Sequence, residues 1–211
     1  MTQATDSQDL ALLRRMMAGE EEAFTLLYRL RHPAIYRFAL RMSGNAAIAE
    51  DVTQEVFMTL IRDTRRFDPT RGTLGGFLFG VARNHLRKRW EEDRRLVPLE
   101  KEAAETIPFP IHGGSAARPD AASGFLSAET SERVRQAIAT LPENYREVVI
   151  LCELEEMSYE EVSAALACPV GTVRSRLHRG RSLLAEKLRE VHPARQASAM
   201  GKSNGEHGNG L

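Results

Sequence analysis

Apolar residues recur every three to four positions from about Asp9 to Trp90, and again from about Ser131 to Val191. That spacing predicts amphipathic helices. Neither stretch sustains an alternation of apolar and polar positions, so the pattern predicts an all-α chain with two small helical domains. Between them, residues 95–130 carry Pro98, Pro108, Pro110, Pro119, Gly113, Gly114 and Gly124 without periodicity. Proline has no backbone donor and a fixed φ, so this density bars a continuous helix and marks a flexible linker. Residues 192–211 are polar and glycine-rich, the composition of a disordered tail. The expected layout is an N-terminal segment 1–19, a helical domain 20–94, a linker 95–130, a second helical domain 131–191 and a tail 192–211.

The second domain carries the sharper local signals. Ser158-Tyr159-Glu160-Glu161 has the form of a capping box, in which the serine hydroxyl accepts from the amide three residues on and Glu161 reaches back. Val162, Ala165 and Leu166 give the short helix that follows an apolar side, and Ala167-Cys168-Pro169 interrupts it. A second helix starts at Val170. Its inward face holds Val173, Leu177, Gly180, Leu184 and Leu188; Ser175, His178, Arg179 and Ser182 face the other way, flanked by Arg174 and Arg176. Two short helices on a tight turn, the second rich in arginine, make a helix-turn-helix whose outer strip suits base edges and phosphates. The competing reading is a solvated amphipathic helix with ordinary surface arginines; the turn and the capping box favour DNA binding.

The run Val170-Gly171-Thr172-Val173-Arg174-Ser175-Arg176-Leu177-His178-Arg179-Gly180-Arg181 resembles the region 4 signature of the extracytoplasmic-function (ECF) sigma factors. The preceding Leu141-Pro142-Glu143-Asn144-Tyr145-Arg146-Glu147-Val148 is similar to the LPxxxREV run that opens that region. The resemblance implies that this helix reads the minus-thirty-five promoter element. Arg174, Ser175, His178 and Arg179 would then enter the groove, with Arg176 on the flank and Thr172 on phosphate. Ala167 stands where relatives often have glycine; were it left-handed, alanine would cost about 1 kcal/mol there.

A stand-alone regulator can carry the same helix-turn-helix, so the first domain separates the two classes. Ala49-Glu50-Asp51-Val52-Thr53-Gln54-Glu55-Val56-Phe57 resembles the region 2 AEDxxQExF motif, which in that family docks on a coiled coil of the largest polymerase subunit. On the helical wheel Val52, Val56, Thr59 and Leu60 form a core face, while Asp51, Gln54, Glu55, Met58 and Arg62 form another. Acidic and amide groups beside an exposed methionine suit a protein interface. Next, a Pro/Gly turn over Phe67–Thr73 leads into a helix through Trp90. That helix is similar to the family pattern WLxxIARNxxxDxxR, written here Phe77-Leu78-Phe79-Gly80-Val81-Ala82-Arg83-Asn84. The resemblance implies recognition of the minus-ten element, with a flipped base held in the loop before the helix. Phe67, Arg71 and Thr73 from the loop and Arg83, Asn84, Arg87 and Lys88 from the helix form the expected contact set. Phe77 replaces the usual tryptophan, Gly80 loosens the helix by up to about 1 kcal/mol, and His85 and Arg87 depart from the commonest form.

Bulk composition changes this picture little. The 211 residues balance 29 basic against 29 acidic side chains, for a formal charge of zero. The basic residues nevertheless crowd 83–95 and 174–187, and a protein that meets DNA after joining a larger partner needs no high pI. No apolar run is long enough to span a bilayer, and Met1–Leu10 resembles no leader, so a cytoplasmic protein without membrane insertion is expected. Cys152 and Cys168 form no CxxC and read as buried structural thiols, and the six scattered histidines suggest no metal site. With no phosphate loop or nucleophile elbow, neither a cofactor nor enzymatic activity is expected. The family resemblance implies three partners: RNA polymerase core, promoter DNA and an anti-sigma factor. The alternatives are a stand-alone regulator that dimerises through its first half and, more distantly, an adaptor that has lost DNA binding.

Overall fold

The structure, a computed structural model, describes residues 2–96 and 123–190, and among these it contains eight α-helices and no strand. The first unit comprises α1 (Thr2–Met17), α2 (Glu21–Ser43), α3 (Ala46–Arg62) and α4 (Leu74–Leu96). The second comprises α5 (Ser123–Ala139), α6 (Glu143–Val149), α7 (Tyr159–Leu166) and α8 (Val170–Glu190). A 3-10 turn over Thr64–Arg66 follows α3, and α6 widens into a π-helical turn over Ile150–Leu154.

Short polar side chains cap three of the helices, α3, α4 and α7. Asn45 caps α3, its side-chain oxygen accepting from the N–H groups of Ala47 and Ile48 at 2.9 and 3.2 Å. Thr73 caps α4, its Oγ1 accepting from the Gly76 N–H at 3.1 Å. The capping box of α7 is present: the Glu161 N–H reaches Ser158 Oγ at 3.2 Å, and Glu161 Oε2 accepts from the Ser158 N–H at 2.8 Å. Such bonds satisfy donors that the first turn leaves without intrahelical partners. Ala167 ends α7 at φ 50°, ψ 46°. The left-handed condition is met, so the alanine carries its cost of about 1 kcal/mol.

In the first unit, Leu27, Ile35, Phe38 and Met42 of α2 pack with Val52, Val56 and Leu60 of α3 and Leu74, Leu78, Ala82 and Leu86 of α4, all buried. Phe38 meets Phe79 edge-on at 5.4 Å between ring centroids. From within the N-terminal segment 1–19, α1 adds Leu12 and Leu13 to this core, and its buried Asp9 pairs with Arg31 of α2. Burial pushes the Asp9 carboxyl up, and Arg31 opposes that shift. In the second unit, Leu141, Val148, Val149, Ile150 and Leu151 pack against Val162, Val173 and Leu177. A Cβ on Gly180 would lie 2.7 Å from Val149 Cγ2, so glycine is what lets α8 rest this closely on α6.

The buried residues of both units belong to one continuous cluster, with α7 lying across α4. Of the expected linker 95–130, residues 97–122 lie outside the described residues, as does the expected tail. At its edges the linker reading is corrected: 95–96 end α4 and 123–130 begin α5. Prolines and glycines mark where a helix cannot continue, but Ser123–Thr130 contains no proline and its one glycine, Gly124, lies in the first turn. Among the described residues, no helix is long and apolar enough to cross a membrane.

Candidate nucleic-acid and polymerase interfaces

The α8 surface follows from its buried side. Val173 and Leu177 anchor the helix, being 0% and 2% exposed. Their spacing leaves Arg174, Ser175, His178 and Arg179 together in solvent. The Arg174 guanidinium sits 5.7 Å from the centre of the Tyr159 ring, a cation–π contact that tethers it at the mouth of the helix-turn-helix. Thr172 is half-buried in the first turn, its N–H donating to the Pro169 carbonyl at 2.8 Å. Arg176 leaves the strip, its Nη1 lying 3.5 Å from Glu147 Oε1. Arg181 is likewise engaged, with Glu153 at 2.5 Å. Four of the six residues expected at the minus-thirty-five element therefore share one open face.

The expected minus-ten set divides differently. Asn84, Arg87 and Lys88 are exposed on α4, and Arg71 is exposed in the preceding loop. Phe67 is instead buried, its ring 5.6 Å from that of Phe77, so it anchors the loop. Thr73 caps α4 and also donates from Oγ1 to Glu161 Oε1 at 3.2 Å. Arg83 faces the second unit, where its Nε donates to Glu147 Oε2 at 2.6 Å and its Nη2 to Oε1 at 3.4 Å. The loop is held by Asp68, whose carboxylate accepts from the Thr70 hydroxyl at 2.7 Å and N–H at 2.9 Å; these bonds hold its carboxyl below the usual range.

On α3, Asp51, Gln54 and Glu55 are exposed in a row, with Asp51 joined to Arg89 of α4 at 3.0 Å. Met58 is half-buried where the wheel left it exposed. Thr59, expected in the core, is half-buried beside His85 at 3.5 Å, while Thr53 and Phe57 fill the core instead. Burial holds the His85 imidazole below its ordinary range. Both cysteines are free thiols, half-buried rather than buried. Burial pushes Cys152 up to about 11. Among the described residues, no cluster of His, Cys, Asp and Glu could hold a metal ion.

Several carboxylates central to this geometry carry no periodic signal. Glu147 has 2% of its side chain exposed yet serves both Arg83 and Arg176, and burial pushes its carboxyl up against the opposing pull of Arg83. Glu155, at 4%, takes Arg37 and Arg41 of α2 at 3.0 and 2.5 Å. Acidic residues in a polar sequence context read as surface charge; only three-dimensional pairing exposes their role.

The Sigma-70 region 2 profile matches residues 27–96, and the Sigma-70, region 4 profile matches residues 131–184. The ECF RNA polymerase sigma factor SigW of Bacillus subtilis is 31% identical over 182 residues, covering 85% of this chain and 96% of that protein. The RNA polymerase sigma-H factor of Pseudomonas aeruginosa is 33% identical over 192 residues, 89% of this chain and 97% of that one. The ECF RNA polymerase sigma factor SigE of Mycolicibacterium smegmatis is 33% identical over 162 residues, which is 77% of this chain but only 60% of the relative. Among solved structures, the sigma factor RpoE from Bartonella quintana, in complex with the anti-sigma factor NepR, aligns at TM-score 0.57 and 27% identity over 80% of this chain and 98% of that one. CnrH, solved with the cytosolic domain of CnrY, shares the fold at TM-score 0.64 and 22% identity, over 88% of this chain and 99% of that one. With both sigma-70 regions present in order, one on each helical unit, the chain belongs to the sigma-70 family as one of its ECF RNA polymerase sigma factors.

Proposed function

We propose that the two units divide promoter recognition, and that this sigma factor directs RNA polymerase core to its promoters without a catalytic step of its own. On α8, Arg174, Ser175, His178 and Arg179 read base edges of the minus-thirty-five element, while Thr172 meets phosphate near the helix start. Arg176 stands at the flank of that surface. On α4 and its loop, Arg71, Asn84, Arg87 and Lys88 hold the separated strand of the minus-ten element, since a melted strand needs a basic groove and a pocket for an unstacked base. Arg83 and Thr73 join that set once they are released from the second unit, and Phe67 supports the loop from below. Asp51, Gln54, Glu55 and the edge of Met58 meet the polymerase core. The protein works in the cytoplasm, where polymerase acts, and an anti-sigma factor holds it inactive, as the NepR-bound relative suggests.

The observation that carries this reading is the exposed Arg-Ser-His-Arg strip on a helix anchored on its other side by buried Val173, Leu177 and Gly180. Run-off transcription with purified core polymerase on a promoter library tests it. Promoter-specific transcripts are expected only when the protein is added, and Arg179→Ala should weaken them roughly 5- to 150-fold, the effect of about 1–3 kcal/mol at a base contact. No transcripts, together with tight duplex binding by the protein alone, would instead establish a stand-alone regulator.

A further inference from the structure

The loop over Phe67–Thr73 runs directly into the first turn of α4, and that turn rests on a guanidinium. A Cβ on Gly75 would lie 3.3 Å from Arg31 Nη1, 3.5 Å from its Cζ and 3.7 Å from its Nη2. The Arg31 side chain of α2 is thus laid against the Gly75 backbone, and glycine at this position leaves it room. On general grounds a cation is out of place there, because the start of a helix carries the positive end of its dipole.

Asp9 of α1 makes the position tenable. Its side chain has no exposed surface and takes Arg31 in a forked pair, Nε donating to Oδ1 at 3.0 Å and Nη2 to Oδ2. Such a pair fixes the plane of the guanidinium as well as offsetting its charge. It also divides the donors. Nε and Nη2 are spent on α1, while Nη1, the atom nearest Gly75, donates to no group among the described residues. Nη1 is not sealed off either. Among the described residues only Asp6 Oδ1 is both wholly enclosed and without a partner, and 19% of the Arg31 side chain is exposed. A buried ion pair contributes little net stability, so tying α1 to α2 does not by itself call for one.

The local charge decides what the open donors can take. Asp9 offsets the guanidinium, and the field of Asp6, one turn earlier on α1, acts on the same carboxylate. One cation therefore faces two carboxylates, and a phosphate brought to it would meet like charge. A carbonyl or ring nitrogen on the edge of a base is an acceptor without that charge.

We infer that Arg31 is a specificity-determining residue for the minus-ten element: held flat by Asp9, it donates from Nη1 to the edge of an unstacked base lodged beside the 67–73 loop. Asp9 is its positioning residue. This rests on the minus-ten reading of the loop and α4, and one arm of the experiment tests that reading separately.

The experiment uses holoenzyme, the full-length chain on core polymerase. Its probes are fluorescent single-stranded oligonucleotides carrying the non-template minus-ten sequence of a promoter recovered by run-off transcription. Each position is replaced in turn by the other bases and by an abasic site. Arg31→Met alone would strand a buried carboxylate, so it is combined with Asp9→Asn, which leaves no charge of the pair unmatched. The double variant should lose affinity for the intact oligonucleotide by roughly fivefold or more, the low end for one base contact. It should bind the oligonucleotide that is abasic at one particular position as tightly as the parent does, with the parent's salt dependence. Asp9→Asn alone frees the cation, and its salt slope should steepen by about 0.7, the value for one added single-strand phosphate contact.

A merely structural pair moves neither readout, so a uniform loss at every position, abasic sites included, overturns the proposal. A salt slope shallower by about 0.7 in the double variant does so too, since it would make Arg31 a backbone contact. Arg71→Ala is the separate arm. If it weakens binding while the double variant binds as the parent does, Arg31 alone is misassigned. If Arg71→Ala also binds as the parent does, the minus-ten reading fails and takes Arg31 with it.

Discussion

The helices α4 and α8 are built alike and end up in opposite situations. Each is basic, each buries one apolar side, and each carries a glycine where another helix packs closely. Around Gly180 the crowding atom is Val149 Cγ2, inside the same unit; at Gly80 it is the Ala165 carbonyl, from the other unit. The arginines follow suit. Arg174 and Arg179 of α8 stand in solvent, whereas Arg83 of α4 is spent on Glu147 of the second unit. Two helices with one sequence grammar therefore differ in accessibility because of what is docked on their polar sides. A basic helix is a nucleic-acid surface only while its cations are free to exchange carboxylate for phosphate.

The largest expected effect tests whether the two units are one cooperative body. Leu177→Ala empties a packed site in the second unit and should cost about 2–5 kcal/mol. Trp90 is the chain's only tryptophan and sits on α4, so its fluorescence reports the first unit. If their contact couples the units, urea denaturation of Leu177→Ala will shift the Trp90 transition together with the helical signal. A Trp90 transition that stays in place would mean that each unit melts alone. Next in size is the coupling at Glu147. A double-mutant cycle of Arg83→Ala with Glu147→Gln should give about 0.5–3 kcal/mol. The corresponding cycle with Arg176→Ala should give less, since that pair is longer and more exposed, at 3.5 Å against 2.6 Å. The reverse order would place the principal partner of Glu147 within its own unit. Smallest is Ala167→Gly, which relieves a left-handed alanine ahead of α8 and should stabilise the second unit by up to about 1 kcal/mol, seen as a higher denaturation midpoint. No gain would mean that the left-handed turn is not held at this position in solution.

Much of the site was legible in the linear chain. The capping box at Ser158 and Glu161, the interruption at Ala167-Cys168-Pro169 and the inward positions Val173, Leu177 and Gly180 all follow from neighbours three and four residues apart, and all are present, while Leu184 and Leu188, expected on the same face, are half-buried. So is the exposed row Asp51, Gln54 and Glu55. These features are local: helix geometry alone settles which residues share a face and which amides need a cap.

Other features required the folded molecule. Nothing near Phe67 in sequence announces that its ring will lie on Phe77, and Gly80 reads as a weak point in a helix until α7 is seen against it. Arg83 shares an arc with Asn84, Arg87 and Lys88 on the wheel, yet it alone of the four reaches a carboxylate 64 positions away. Periodicity identifies the polar side of a helix without naming the element that will cover it. That choice is made by shape and charge between segments remote in the chain, here glycine against backbone and arginine against glutamate.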